Sequence, residues 1–398
     1  MLMGLPETLL AEARKLQPEV VDLRRRIHAE PELGLELPAT REKVLRAIDD
    51  LGLELTLHEK TSGIVATLRG AKPGRRVLLR GDMDALPMPE DTELEFRSTR
   101  EGVMHACGHD AHTAMLAGAA RLLAPYRDRM EGEIVFMFQP GEEGMFGARF
   151  MIEEGALEGC DAAFALHITP LLPPGCLGTR IGPVLASADV FQVTVAGKGG
   201  HASMPHDCID PIPVACEIVQ ALQTFTTRRI PALDPIVLTI ARIAAGTTSN
   251  VIPEKAELTG TLRALSEKSR EQAQEGIFRV AEHVARAHDT EATVQLFPGY
   301  PVTVNDAAAT RLMLDVAGEL TEGRAVEMPA PVMGAEDFSY VLKEIPGALG
   351  FLGVRPGGSG TPEPCHSNRM VLDEEGLVYG TAFHAAVALR MLEGGLPT

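Results

Sequence analysis

Basic charge is scarce in this chain. Its 398 residues carry 37 Lys and Arg against 55 Asp and Glu, a formal net charge of −18. A protein that grips nucleic acid through its phosphates shows a basic footprint, so no nucleic-acid partner is expected. An anionic membrane surface has little to attract. Long apolar runs are missing as well. No stretch of about 18 apolar residues is free of charges and prolines, the least that a spanning helix needs. The opening MLMGLPETLLAEARKL has no basic start and no apolar centre closing on small residues. It reads as an amphipathic helix rather than a signal peptide. Asparagine occurs only at Asn250, Asn305 and Asn368, none of them in an Asn-x-Ser/Thr sequon. The cysteines, Cys107, Cys160, Cys176, Cys208, Cys216 and Cys365, are scattered and make no compact disulfide framework. A reducing cytoplasm is the expected compartment.

The length suits roughly two to three domains, and a chain of this size buries a core without disulfides. The first half alternates strand-like and helix-like runs. Residues 64–69, 77–80, 133–138 and 161–168 read as strands, and 111–124 and 145–154 as helices. That alternation predicts an α/β unit with a mainly parallel sheet covered by helices. After the Pro/Gly-rich stretch 170–183 the pattern changes. A strand at 188–196 is followed by a helix (209–228), two strands (236–243 and 256–264), a helix (267–288) and a strand (291–297). This βαββαβ order predicts an inserted ferredoxin-like α+β lid domain. The division expected is 1–186 for the first part of the catalytic domain, 187–302 for the lid and 303–398 for the second part. The last part should hold helices near 305–320, 335–343 and 374–393 and a strand near 348–354.

The densest chemical signal is MHACGHDAH at 104–112, which offers His105, Cys107, His109 and His112 within one turn and a helix start. One histidine among apolar residues is usually a satisfied core residue; four donors of this kind together suit zinc or another borderline transition metal. QPGEEG at 139–144 follows an apolar strand, and ligands in open α/β sheets sit at the carboxyl ends of strands. Glu142 and Glu143 are adjacent, so their side chains diverge: one can bind metal while the other serves as general base. His167 ends the strand AAFALH. His366 lies in the loop CHSN, beside Cys365, which reads as a small buried residue. Asp82 and Asp84, in RGDMDALP, are ligands or acceptors that orient a ligating histidine.

Together these segments resemble the dinuclear zinc-peptidase clan of aminoacylases and carboxypeptidases. Within it the match is to the amidohydrolase branch: hippurate hydrolases, N-acyl-amino-acid amidohydrolases and auxin-conjugate hydrolases. The similar segments run nearly end to end: RRRIHAEPELGLE, LLRGDMDALP, MHACGHDAHTAMLAGAA, QPGEEG, ALH, GKGGHASMP, GTTSNVIPEKAELTGTLR, GAEDFSY and CHSN. The resemblance implies two divalent cations per subunit on Cys107, His109, Glu143, His167 and His366, with Cys107 bridging. By donor type zinc comes first, with manganese, cobalt or nickel as alternatives. The resemblance makes Glu142 the general base and Asp84 the aspartate behind the site. It makes His201, in GGHAS, the group that polarises the scissile carbonyl, and Asn250 and Arg263 the contacts to the substrate carboxylate. An Arg fork suits a carboxylate. Other branches carry His at Asp82 and Asp at Cys107, which places this chain in the Cys-containing branch.

The function expected is hydrolysis of the amide bond of an N-acyl amino acid or short peptide, in a homodimer joined through the lid domain with His201 acting in trans. A carboxypeptidase or dipeptidase on the same scaffold is the nearest rival. A thiol amidase with Cys107 as nucleophile beside His105 or His109 is a remote one, and a non-catalytic binder leaves Glu142 without a purpose.

Overall fold

Five apolar positions, Leu9, Ala13, Val20, Leu23 and Ile27, recur along the first helix, Leu5–Ala29, and all are buried. That spacing is the apolar stripe of an amphipathic helix. The computed structural model describes residues 5–358 and 360–397, so the first four residues of the segment read as this helix lie outside the described residues. No helix among the described residues is long and apolar enough to cross a membrane.

The chain folds as two units. One comprises the chain up to Val184, Val304–Ala330 and the chain from Asp337 onward; the other comprises Leu185–Thr303 and Pro331–Glu336. The sequence reading puts 331–336 with the final segment. The backbone explains the difference: the Ala186 N–H donates to the carbonyls of Val332 (3.2 Å) and Gly334 (2.8 Å), which draws this stretch to the inserted unit.

The larger unit is built on an eight-stranded sheet. Its spatial order is Glu54–Leu57, Ile64–Arg69, Glu131–Gln139, Lys72–Asp82, Ala162–Thr169, Gly347–Gly353, Leu177–Thr179 and Ala325–Glu327. The four central strands, Glu131–Gln139 to Gly347–Gly353, are parallel. Antiparallel pairing enters on both flanks, at Ile64–Arg69 and at Leu177–Thr179. Residues 77–82 and 134–139 are almost wholly buried, as expected of parallel strands covered on both faces. Helices Leu5–Ala29, His109–Leu123, Ala307–Leu320 and Gly376–Gly394 pack against one another and against the central strands.

The inserted unit has four antiparallel strands in the order Ile236–Ala245, Lys255–Ala264, Asp189–Ala196, Ala292–Pro298, with helices Pro211–Arg229 and Glu267–Ala287 packed on the sheet. In chain order this is βαββαβ, the ferredoxin-like arrangement. Alternate residues of Asp189–Ala196 and Lys255–Ala264 are buried. Phe191, Val193, Leu258 and Leu262 thereby meet Ile218, Leu222 and Ile277 in one core. Truncating Phe191 to Ala there should cost ~3–5 kcal/mol.

Candidate metal centre

Three parallel strand ends and two loops bring the chemistry together in the larger unit. Strand Lys72–Asp82 ends at Asp82 and leads to Asp84. Strand Glu131–Gln139 leads through Pro140 and Gly141, which has φ +70°, to Glu142 and Glu143. Strand Ala162–Thr169 carries His167. Helix His109–Leu123 starts at His109, after Gly108 at φ +82°. A Cβ at Gly108 would lie 2.4 Å from Ile168 Cγ1, so only glycine fits this turn. His366 lies in a loop at φ +68°, a sparsely populated conformation for a residue with a side chain.

Cys107 Sγ lies 3.3 Å from His167 Nε2 and 3.3 Å from His366 Nε2. His366 Nε2 lies 3.2 Å from Glu143 Oε1. His109 Nε2 lies 3.9 Å from Glu142 Oε2 and 4.0 Å from Glu143 Oε1. The structure thus brings Cys107, His109, Glu142, Glu143, His167 and His366 around one point, in overlapping groups whose donor atoms all lie within 4.8 Å of one another. Asp84 stands directly behind. Its Oδ1 accepts the Glu142 N–H at 2.9 Å and its Oδ2 accepts the Glu143 N–H at 3.0 Å, so one carboxylate fixes the backbone of both glutamates.

These residues fit a metal. His109 is fully buried, yet neither ring nitrogen completes a hydrogen bond, although Asp84 Oδ1 is 3.4 Å from Nδ1. Buried polar atoms without partners are costly, and a ligand-shaped vacancy is the usual reason for them. His167 donates Nδ1–H to the Ile168 carbonyl at 2.7 Å, which leaves the lone pair of Nε2 directed at the donor cluster. Thiolate, imidazole and carboxylate donors together suit zinc and its neighbours.

The local charges read consistently. Burial opposes charge on His109, but Asp82, Asp84 and Glu143 outweigh it and hold its pKa well above the ordinary value. Burial likewise opposes charge on Glu143, but His366, His109 and His167 lower its pKa. Cys365 hydrogen-bonds to Cys107. This bond, with burial and the Glu143 and Glu142 carboxylates, pushes the Cys107 thiol far above its ordinary range. A bound cation would take that proton's place.

Several contributors escape sequence reasoning. His112 accepts the Ile168 N–H on Nε2 at 2.8 Å and therefore donates Nδ1–H to Asp82, tying the strand of His167 to that of Asp82. Asp82 thus acts as an acceptor that orients a histidine. Arg80, 1% exposed, bonds Gln139 at 2.9 Å, Asp337 at 3.0 Å and Asp82, clamping the ends of two strands. Asp110, beside His109, is held by Arg24 Nε at 2.7 Å and His28 Nδ1 at 2.8 Å. Cys365 is half-buried rather than buried. The only signal for these partners was their place inside the matched segments.

The remaining site residues belong to the inserted unit. His201 pairs with Val251 in a two-residue ladder, and the Ala202 N–H donates to the Asn250 carbonyl at 3.1 Å, so His201 and Asn250 are neighbours. Arg263 lies on Lys255–Ala264, opposite Val237. His201 is exposed; its Nδ1 accepts the Ser203 N–H at 3.1 Å, so a neutral ring carries its proton on Nε2.

A parallel sheet whose carboxyl ends carry a mixed S/N/O donor set and a flanking carboxylate defines a metal-dependent hydrolase of the metallopeptidase class. The chain belongs to peptidase family M20/M25/M40, whose sequence pattern matches residues 78–390. It is 40% identical to thermostable carboxypeptidase 1 of Saccharolobus solfataricus, over 98% of this chain and 99% of the relative. It is 37% identical to N-acetylcysteine deacetylase of Bacillus subtilis, over 94% and 97%. Among solved structures it resembles the Bacillus subtilis YXEP protein, a dinuclear metal-binding peptidase of the M20 family. That likeness has a TM-score of 0.84 and 34% identity, covering 96% of this chain and 99% of the other.

Proposed function

We propose that this enzyme hydrolyses the amide bond of N-acyl amino acids, with Glu142 as general base. The observation that carries the reading is the position of Glu142: its carboxylate lies 3.9 Å from His109 Nε2, on a backbone pinned by Asp84. Two divalent cations on Cys107, His109, Glu143, His167 and His366 would supply Lewis acidity and lower the pKa of water from about 15.7 toward about 7. Glu142 takes the proton as water attacks the carbonyl, then hands it to the leaving amine. His201, with its proton on Nε2, donates to the developing oxyanion. Arg263 and Asn250 grip the substrate carboxylate and hold the amide in line. The deacetylase relative supports an acyl amino acid as substrate; the carboxypeptidase relative keeps a short peptide as the second reading.

The domain division at 187 and 302 belongs to the same reading, with the inserted unit as lid and dimer interface. Exposure of His201 and of the edge strand Ile236–Ala245 supports a homodimer in which His201 serves the neighbouring site. Cytoplasmic residence follows from the unpaired cysteines.

The test is a panel of N-acyl amino acids, their amides and dipeptides, run on metal-loaded protein. Acyl amino acids with free carboxylates should be turned over best, and Arg263→Ala should erase the preference for the carboxylate by raising KM. Dipeptides turned over far faster than any acyl amino acid would shift the reading to a dipeptidase. Full turnover in chelated protein would end it.

A further inference from the structure

We infer that Cys107 and Cys365 are a site of reversible oxidation: a low-molecular-weight disulfide converts them into a protein disulfide that removes Cys107 from the metal. The inference rests on Cys107 being a metal ligand, as proposed above.

The two residues come together from 258 positions apart through the backbone. The His366 N–H donates to the Ala106 carbonyl at 2.8 Å, which sets Cys365 directly across from Cys107. Residues opposed in this way have side chains close enough for a disulfide, which needs Cα atoms within about 7 Å. The two thiols already hydrogen-bond one another. Neither is in a disulfide, and they differ in access: Cys107 is 7% exposed, whereas Cys365 is half-buried. Cys365 contributes to none of the candidate donor groups, so the mechanism leaves it without a task.

The chemistry balances. The Cys365 thiolate attacks one sulfur of oxidised glutathione, forming a mixed disulfide and releasing one glutathione thiolate. Cys107 sulfur, deprotonated, attacks the Cys365 sulfur, forming the Cys107–Cys365 bond and releasing the second thiolate. The protein pair loses two electrons and the oxidant gains them. Cys107 sulfur, now in a disulfide, no longer carries the negative charge that a metal ligand needs.

The experiment uses the full metal-loaded chain, incubated with oxidised glutathione, alkylated, digested and read by mass spectrometry, with released metal measured on the same samples. A peptide linking Cys107 to Cys365 should appear, two hydrogens lighter than its parts. Metal should leave in proportion, and dithiothreitol should reverse the link. Cys365→Ser should keep its metal under the same challenge. The inference is overturned if glutathione stays on Cys365 without a cross-link, or if Cys365→Ser loses metal before any oxidant is added, which would make Cys365 a ligand. A cross-link that leaves metal in place rejects the coupling and the ligand role of Cys107. The amidohydrolase reading is judged separately, by the substrate panel on untreated enzyme.

Discussion

Asp84→Asn is the perturbation that isolates the backbone of the two glutamates. Asp84 is 1% exposed and divides its carboxylate between two N–H donors, Glu142 at 2.9 Å and Glu143 at 3.0 Å. Asparagine keeps one acceptor oxygen but turns its NH2 toward the other N–H, so one bond is lost and two donors face each other. A hydrogen bond to a charged group contributes about 1.5–3 kcal/mol. Because about 1.4 kcal/mol is tenfold in rate, kcat/KM should fall about 10- to 100-fold. Loosening Glu143 should also weaken metal binding, so the loss appears both in steady-state kinetics with an N-acyl amino acid and in metal retained after dialysis. Circular dichroism and an unchanged helix signal guard against simple unfolding. A folded Asp84→Asn protein with wild-type kcat/KM and wild-type metal content would refute the argument that this carboxylate positions the pair.

Gly108→Ala should be destabilised beyond the ~1 kcal/mol typical of a single mutation and should lose metal, because the new Cβ meets Ile168 at 2.4 Å beside both His109 and His167; equal denaturant midpoints in mutant and parent would contradict this. Acid should destabilise the protein through His384, which burial pushes down to about 3. The unfolded chain binds that proton below about 6.5 and the folded chain does not until about 3, so stability is intact above 6.5 and falls as pH drops through the window. Between pH 7 and pH 5 the loss for this one histidine is about 2 kcal/mol. His384→Gln, compared with its parent in urea unfolding of metal-free protein, should remove that share; parallel pH slopes would show that His384 is protonated in the fold.

The parts of the centre legible in the sequence are those written contiguously. Cys107 and His109 sit two apart before a helix, and Glu142 follows an apolar strand, so type and spacing already suggested donors. Periodicity likewise exposed the inserted unit, because strands such as Asp189–Ala196 bury every second residue. The clamp made by Arg80 was hidden, since its partner Asp337 is 257 residues away and an Arg at a strand end looks like any solvated cation. The helix near 145–154 begins only at Gly147 because Phe146 turns to φ 60°, which propensity does not reveal. The helix near 335–343 shrinks to Ser339–Glu344, since the chain at 331–336 is committed to the inserted unit. Helix Pro38–Ile48 escapes the sequence reading altogether: its buried face is three residues, Thr40, Val44 and Ile48. The contact between Cys107 and Cys365 could not be read either, because it is set by one backbone hydrogen bond in a loop.

The most direct measurement compares Glu142→Gln with Glu143→Gln, assaying kcat and bound metal on the same preparations. With Glu142 as base, Glu142→Gln should lower kcat by at least ~10²-fold while metal content stays at the wild-type level. Glu143→Gln should instead lose metal, because Glu143 Oε1 is the carboxylate oxygen 3.2 Å from His366 Nε2. Metal loss in Glu142→Gln together with retained metal in Glu143→Gln would contradict the account.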